Sequence, residues 1–286
     1  MKRELRMRWK FSLVGCVLLA YFGLLCLAAF LGEGVFSIDS GWGYLGAAVV
    51  VILALFAWKW TGCSVSQVCK GEKSMRASTF AVLCCLVLSC QFVFQLYSWI
   101  VVAFLGEYGA KILNSATSAG SGLPMSLYVW VLAPVVEELV FRLFLQRKLI
   151  GYGKAFGIFC SAFLFAAFHI NPVQIPFAFF MGLVLGYVAA EYSVLWAMGL
   201  HVFNNLVLGG LIGLVHPAWL EQLIYFALTW GGGIAGIWIL VKNGRKWFAE
   251  WKDESVDRWS FAVFITSPGI LLLLAIMILN MVLFVL

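Results

Sequence analysis

Charge is what this chain has least of. Asp, Glu, Lys and Arg make up 11% of its 286 residues, against 64% for the AVILMFWYC set. A soluble domain carries about 25% charged and about 45–50% apolar residues. So little polar material cannot cover a water-facing surface, which excludes an ordinary soluble fold. Aspartate is reduced to Asp39, Asp253 and Asp257, all between apolar runs. An intramembrane aspartyl protease, which needs two aspartates inside the membrane, is excluded on that ground. HExxH is absent, and with it that zinc-protease pattern. The eight cysteines match no zinc spacing: Cys63 and Cys69 are six apart, Cys84 and Cys85 are adjacent, and the others are scattered through apolar segments. They read as small packing residues. The nearest approach to a serine nucleophile, Gly120-Ser121-Gly122, lies in a loop. Internal repeats and domain linkers are also missing, and without an inverted repeat of broken helices a transporter lacks its usual signature.

What is present in quantity is long apolar runs. A span needs about 20 apolar residues. Nine segments are candidates, at 11–31, 44–60, 78–105, 126–149, 155–171, 174–190, 194–214, 218–241 and 260–286. The fold class expected is all-α, a polytopic transmembrane helical bundle of eight to nine spans. The net charge of +6 sits in short basic stretches at the N-terminus and around 59–77, 147–154 and 242–258. Alternating spans put all of these on one side, so the positive-inside rule makes the N-terminus cytoplasmic. The same clustering at span ends argues against nucleic acid as a partner. Residues 106–124, rich in Ser and Gly, form the longest outer loop. Gly41-Trp-Gly43-Tyr-Leu-Gly46 matches GxGxxG only formally, because it precedes a span rather than joining a strand to a helix. The pairs Gly182/Gly186 and Gly232/Gly236 have the spacing that permits close helix contact.

Ionisable residues inside spans are costly, by about 2.5–3.5 kcal/mol each on insertion scales. The few found here are Glu137, Glu138 and Arg142 on the fourth segment, His169 on the fifth and His201 on the seventh, with Asn204 and Asn205 one turn later. Glu138 and Arg142 are four apart with the acid first, the favourable order for an ion pair. Glu137 is rotated about 100° away and its own i+4 neighbour is Phe141. One carboxylate therefore has a counter-ion on its own helix and the other must face water or another polar group, as a general base does. A buried charge cluster that fixes helix packing would need the same residues. His201 and Asn205 project from one helix face, either as two donors to an oxyanion or as polar glue between helices.

Together the three patterns, EExxxR at Glu137 to Arg142, FxxxH at Phe165 to His169 and HxxxN at His201 to Asn205, resemble the CPBP family of intramembrane proteases. That family includes type II CAAX prenyl endopeptidases and the Abi (bacteriocin self-immunity) proteins. The resemblance implies a CPBP-type catalytic core at 78–241, preceded by a basic tail and two helices at 1–77 and followed by a cytoplasmic loop and last helix at 242–286. It implies that Glu137 activates a water with His169 beside it, that His201 and Asn205 hold the oxyanion, and that Glu138 and Arg142 complete the first motif. Members are called metalloproteases or glutamate-dependent enzymes. If zinc is the cofactor, Glu137, His169 and His201 are its expected ligands; Asn205 would be a poor one.

The function expected is that of a membrane-embedded endopeptidase acting on a membrane-associated peptide or protein, with the lipid bilayer as surroundings and a bacterial plasma membrane as location. The alternatives are a non-proteolytic immunity or scaffold protein and a proton-coupled transporter, since intramembrane Glu and His also mark proton relays. One tension accompanies this reading. At about 1.5 Å per residue, His201, Glu137 and His169 fall about 10, 15 and 21 Å from the cytoplasmic ends of their helices, too far apart for one site unless the helices tilt or the fifth segment begins later than residue 155.

Overall fold

A computed structural model describes residues 2–35, 40–58, 61–117, 122–252 and 258–285. Asp39, Gly120, Ser121, Asp253 and Asp257 lie outside them. The described residues are mainly helical, and no strand occurs among them. The helices, with short 3-10 and π stretches included, are α1 (Lys2–Ala29), α2 (Ser40–Ala57), α3 (Val65–Cys69), α4 (Ala77–Thr117), α5 (123–150), α6 (Lys154–Ala167), α7 (Gln174–Glu191), α8 (Val194–Leu214), α9 (218–252), α10 (Arg258–Ile265) and α11 (Pro268–Val285). The described parts of all nine apolar segments fall largely on this set. The polytopic helical bundle is therefore as the composition required.

The span count is lower than nine by length and apolarity alone. Among the described residues five helices meet both conditions: Arg3–Gly32, Ala77–Ser115, Gln174–Glu191, Val194–Leu214 and Ala218–Arg245. The bent pair Trp259–Ile265 and Pro268–Phe284, at 58°, makes a sixth if it crosses as one. The helices Gly41–Ala57 and Lys154–Ala167 are apolar but short. The helix at 123–150 is long, but it carries Glu137, Glu138, Arg142, Arg147 and Lys148. A hydropathy count sees charge there, not the buried pairing that neutralises it.

Residues 107–117 are also helical, where a loop was expected. α4 breaks at Gly106, whose φ of 56° and ψ of −134° leave the helical region and favour glycine. The chain then turns back into helix through Thr117. Asn171 fastens this second piece to the bundle, donating from Nδ2 to the Ile112 carbonyl at 3.1 Å. Its Oδ1 accepts from the backbone N–H groups of Val173 and Gln174 at 2.9 and 3.3 Å, which caps the start of α7. The Asn171-Pro172 break between α6 and α7 thus forms where the sequence placed it.

Small residues set the closest helix approaches. A β-carbon on Gly182 would stand 3.1 Å from Ala162, and one on Gly186 would stand 2.8 Å from Gln146 Oε1 and 3.0 Å from Ile158. α7 is therefore held tightly against α6 and α5. Gly232 and Gly236 on α9 face Leu88, Cys85 and Ser89 of α4 in the same way. A continuous apolar core runs from Phe11 of α1 through Phe156 of α6 to Phe264 of α10, with ring centroids 5.4 to 6.1 Å apart. At one end of the bundle Glu191 pairs with Lys73 at 2.6 Å and with Lys154, so the segment before α4 is pinned to α6 and α7.

Candidate active site

Pro134 shapes the site first. It has no N–H to give the preceding turn, so the helix cannot close there with regular bonds. The chain widens at Tyr128–Leu132, where the Ala133 N–H reaches back five residues to the Tyr128 carbonyl. The Val129 carbonyl is thereby left without a backbone donor from its own helix, and Asn205 Nδ2 donates to it at 3.0 Å. A regular turn, Ala133–Glu138, follows, and then a second wide stretch, Leu139–Gln146. α8 widens at Phe203–Leu211, just after His201. Such wide turns recur at functional sites, and here they flank the glutamate pair and carry Asn204 and Asn205.

The ion pair expected from spacing is formed. Arg142 Nε donates to Glu138 Oε2 at 3.1 Å, with both side chains fully buried. Arg142 Nη1 donates to Ser161 Oγ at 2.7 Å, and Ser161 in turn donates to the Phe141 carbonyl at 2.7 Å. The guanidinium lies 5.1 Å from the centroid of the Phe165 ring, a cation–π contact that suits a desolvated arginine. The other oxygen, Glu138 Oε1, accepts from His201 Nδ1 at 3.0 Å. Both oxygens of Glu138 are thus engaged, and Glu138 serves to fix Arg142 and His201.

Glu137 has a different environment. Its side chain is 25% exposed, and its Oε2 lies 3.6 Å from His201 Nε2. It borders a cavity of about 150 Å³ with His169, Phe141, Phe165 and Phe168. His169 Nδ1 donates to the Phe165 carbonyl at 3.0 Å, which leaves Nε2 as the acceptor of the ring. Glu137 and His169 therefore share one cavity, and His201 stands against Glu137. The three residues meet despite the unequal depths counted along their helices, since Glu137 and His169 border one cavity and His201 lies 3.6 Å from Glu137.

His201 and Asn205 are not brought together over that cavity. His201 is turned to the two carboxylates and Asn205 to Val129, while Asn204 Nδ2 donates to Asn205 Oδ1 at 2.9 Å and Gln91 Nε2 to Asn204 Oδ1 at 2.7 Å. Nor do Glu137, His169 and His201 form a three-ligand metal site. Among the described residues no group of three His, Cys, Asp or Glu side chains is arranged to hold an ion.

Sequence reasoning missed the uncharged members. Tyr21 and Leu25 of α1 and Gln174 of α7 complete the cavity wall, Gln146 and Ser161 supply buried hydrogen bonds, and Gln91 supplies a part-buried one. The glutamines carried a usable signal, as amides inside apolar runs that need partners. Tyr21 carried none, since its ring suits a core equally well.

Residues 119–207 match the Rce1-like family model. Its description is type II CAAX prenyl endopeptidase Rce1-like. The match spans about a third of the chain and contains all seven residues of the three motifs, so the resemblance they carried holds for this segment. No curated protein and no solved structure matches the chain. At the level of the Rce1-like family, the match supports a CAAX-protease-like intramembrane endopeptidase. With the apolar helices, it makes this an integral membrane protein.

Proposed function

We propose that this protein is an intramembrane endopeptidase in which Glu137 activates a water molecule for attack on a peptide carbonyl. The observation that carries the reading is the contrast within one helical turn: Glu138 is sealed by Arg142 and His201, while Glu137 opens onto a cavity it shares with His169. A water there gives a proton to Glu137 as its oxygen attacks the carbonyl carbon. The carbonyl π electrons move to oxygen, and the tetrahedral intermediate collapses by breaking the C–N bond. Glu137 then returns the proton to the departing amine. His169 Nε2 can accept the water's second hydrogen and so orient it. His201, held by Glu138, stands with its Nε2 3.6 Å from Glu137 Oε2 and closes that side of the carboxylate. General-base catalysis of this kind contributes about 10²–10⁴-fold. The substrate class is a membrane-associated peptide or protein, with a prenylated CAAX tail the case the family description suggests. The location is a bacterial plasma membrane with the N-terminus in the cytoplasm.

The test compares membrane-associated peptides from cells expressing wild type or Glu137→Gln at matched levels. Fragments that appear with wild type and vanish in the variant support proteolysis at Glu137 and name the substrate. Identical profiles from two folded proteins would instead favour a binding role of the immunity or scaffold kind.

A further inference from the structure

The first helix, which lies outside the family match, brings a polar group to the cavity. Tyr21 lines it and is 7% exposed. Its ring stacks on Phe168 at 5.8 Å between centroids and 16° between planes. Phe168 meets Phe141 edge-on at 5.2 Å and immediately precedes His169 in the chain. The phenol is thus fixed in place beside the catalytic turn, and the Glu137 carboxylate is near enough to act on it electrostatically. Among the described residues the Tyr21 hydroxyl has no hydrogen-bond partner. The oxygen is not one of the sealed side-chain atoms that lack a partner among those residues, which are Arg142 Nη2 and Gln146 Oε1, so it is open to the molecules that enter the cavity.

The mechanism above needs a donor where negative charge develops on the carbonyl oxygen. His201 Nδ1 is committed to Glu138, and Asn205 is hydrogen-bonded to Val129 away from the cavity wall. The cavity's own uncommitted donors are the Tyr21 hydroxyl and the Gln174 amide. The tyrosine is the better preorganised, since stacking fixes its ring while a glutamine keeps several rotatable bonds.

We propose that Tyr21 is an oxyanion donor of this enzyme, additional to any that His201 and Asn205 supply: as water adds to the carbonyl, the Tyr21 O–H donates a hydrogen bond to the forming oxyanion and keeps its proton throughout. This rests on the reading of Glu137 as the base. The test uses full-length wild type, Tyr21→Phe and Glu137→Gln in phosphatidylethanolamine–phosphatidylglycerol liposomes, with an internally quenched peptide ending in a farnesylated CAAX sequence. Tyr21→Phe keeps the stacked ring and removes only the donor. It should lower kcat about 100-fold, as loss of one oxyanion donor does elsewhere, with KM within about threefold on the same scale and the unfolding temperature unchanged. Fluorotyrosine at position 21 retains shape and hydroxyl but changes donor acidity, so it should alter kcat and leave KM alone. If Glu137→Gln is inactive while Tyr21→Phe retains kcat within about twofold, or loses it only together with stability, the donor role is overturned and the base stands. If Glu137→Gln cleaves as wild type does, both fall together.

Discussion

Two sides of one helical turn, separated by a single residue, have been built to opposite ends. On the side of Glu138 every oxygen is engaged, exposure is nil, and three elements converge: Arg142 and Phe141 of α5, Ser161 and Phe165 of α6, and His201 of α8. On the side of Glu137 the carboxylate is a quarter exposed, its nearest nitrogen is 3.6 Å away, and aromatic rings and His169 line the space beyond. Burying charge without a partner is expensive in a low-dielectric interior. A membrane protein that needs a reactive carboxylate must therefore stabilise its surroundings with another. The sealed side holds the helices at the distances that the open side requires, so losses of fold should localise to the first and losses of chemistry to the second.

Breaking the sealed side should give the largest effect. Arg142→Met leaves Glu138 buried with only His201 as a partner. Removing one member of a buried pair costs about 3–5 kcal/mol. The variant should unfold at markedly lower temperature in detergent, or fail to accumulate in the membrane. Replacing both charges, as Glu138→Gln with Arg142→Met, removes the orphaned charge and should recover part of that stability. An Arg142→Met protein as stable as wild type would show that the pair is not the anchor inferred here.

On the open side, stability and activity should separate. Glu137→Gln and His169→Ala remove groups that border the cavity, so each should leave the unfolding temperature close to that of wild type. Glu137→Gln should lower cleavage by about 100-fold or more. His169→Ala should do so by a smaller factor, because it orients a water that Glu137 still activates. Thermal unfolding and turnover measured on the same preparations check both. Should either variant destabilise the fold as much as Arg142→Met, the two sides would not be distinct.

Much of this contrast was readable in advance, for a local reason. The i, i+4 pairing of Glu138 with Arg142 and the lack of a counter-ion for Glu137 on its own helix follow from helix periodicity; the pair is formed, and the nitrogen beside Glu137 comes from another helix, at His201. Gly182, Gly186 and Asn171-Pro172 acted through backbone geometry, which is equally local. The helix at 107–117 escaped because Ser and Gly composition suggested loop, while its docking through Asn171 is a long-range contact. Nine apolar runs can be counted, whereas five or six described helices are long and apolar enough to cross by themselves; the difference lies in short helices such as Lys154–Ala167 and in the helix at 123–150, whose charges hydropathy weighs singly without seeing their pairing. Tyr21 was invisible for a similar reason: nothing in α1 announces that its third turn from the C-terminal end will face a cavity formed by α5, α6 and α7. The committed hydrogen bonds of Asn205 also lay beyond a one-helix view, although Pro134 marked where a carbonyl would be freed.

That freed carbonyl sets the smallest and most discriminating effect. Gln91 donates to Asn204, Asn204 donates to Asn205, and Asn205 donates to Val129. The chain has one direction because the Val129 carbonyl can only accept, so it fixes how each amide is oriented. It links α4 to α8 and α8 to α5 without touching the cavity. Hydrogen bonds between membrane helices average about 0.6 kcal/mol and reach about 1.7. Gln91→Leu should therefore lower the unfolding temperature slightly and change cleavage by less than about threefold, a factor of the size that such a bond energy implies. Turnover and unfolding of Gln91→Leu beside Asn205→Ala measure this directly. A large loss of turnover in Gln91→Leu with full stability would place the amide chain in the catalytic machinery, and the boundary between holding and reacting would have to be drawn through α8 rather than between Glu137 and Glu138.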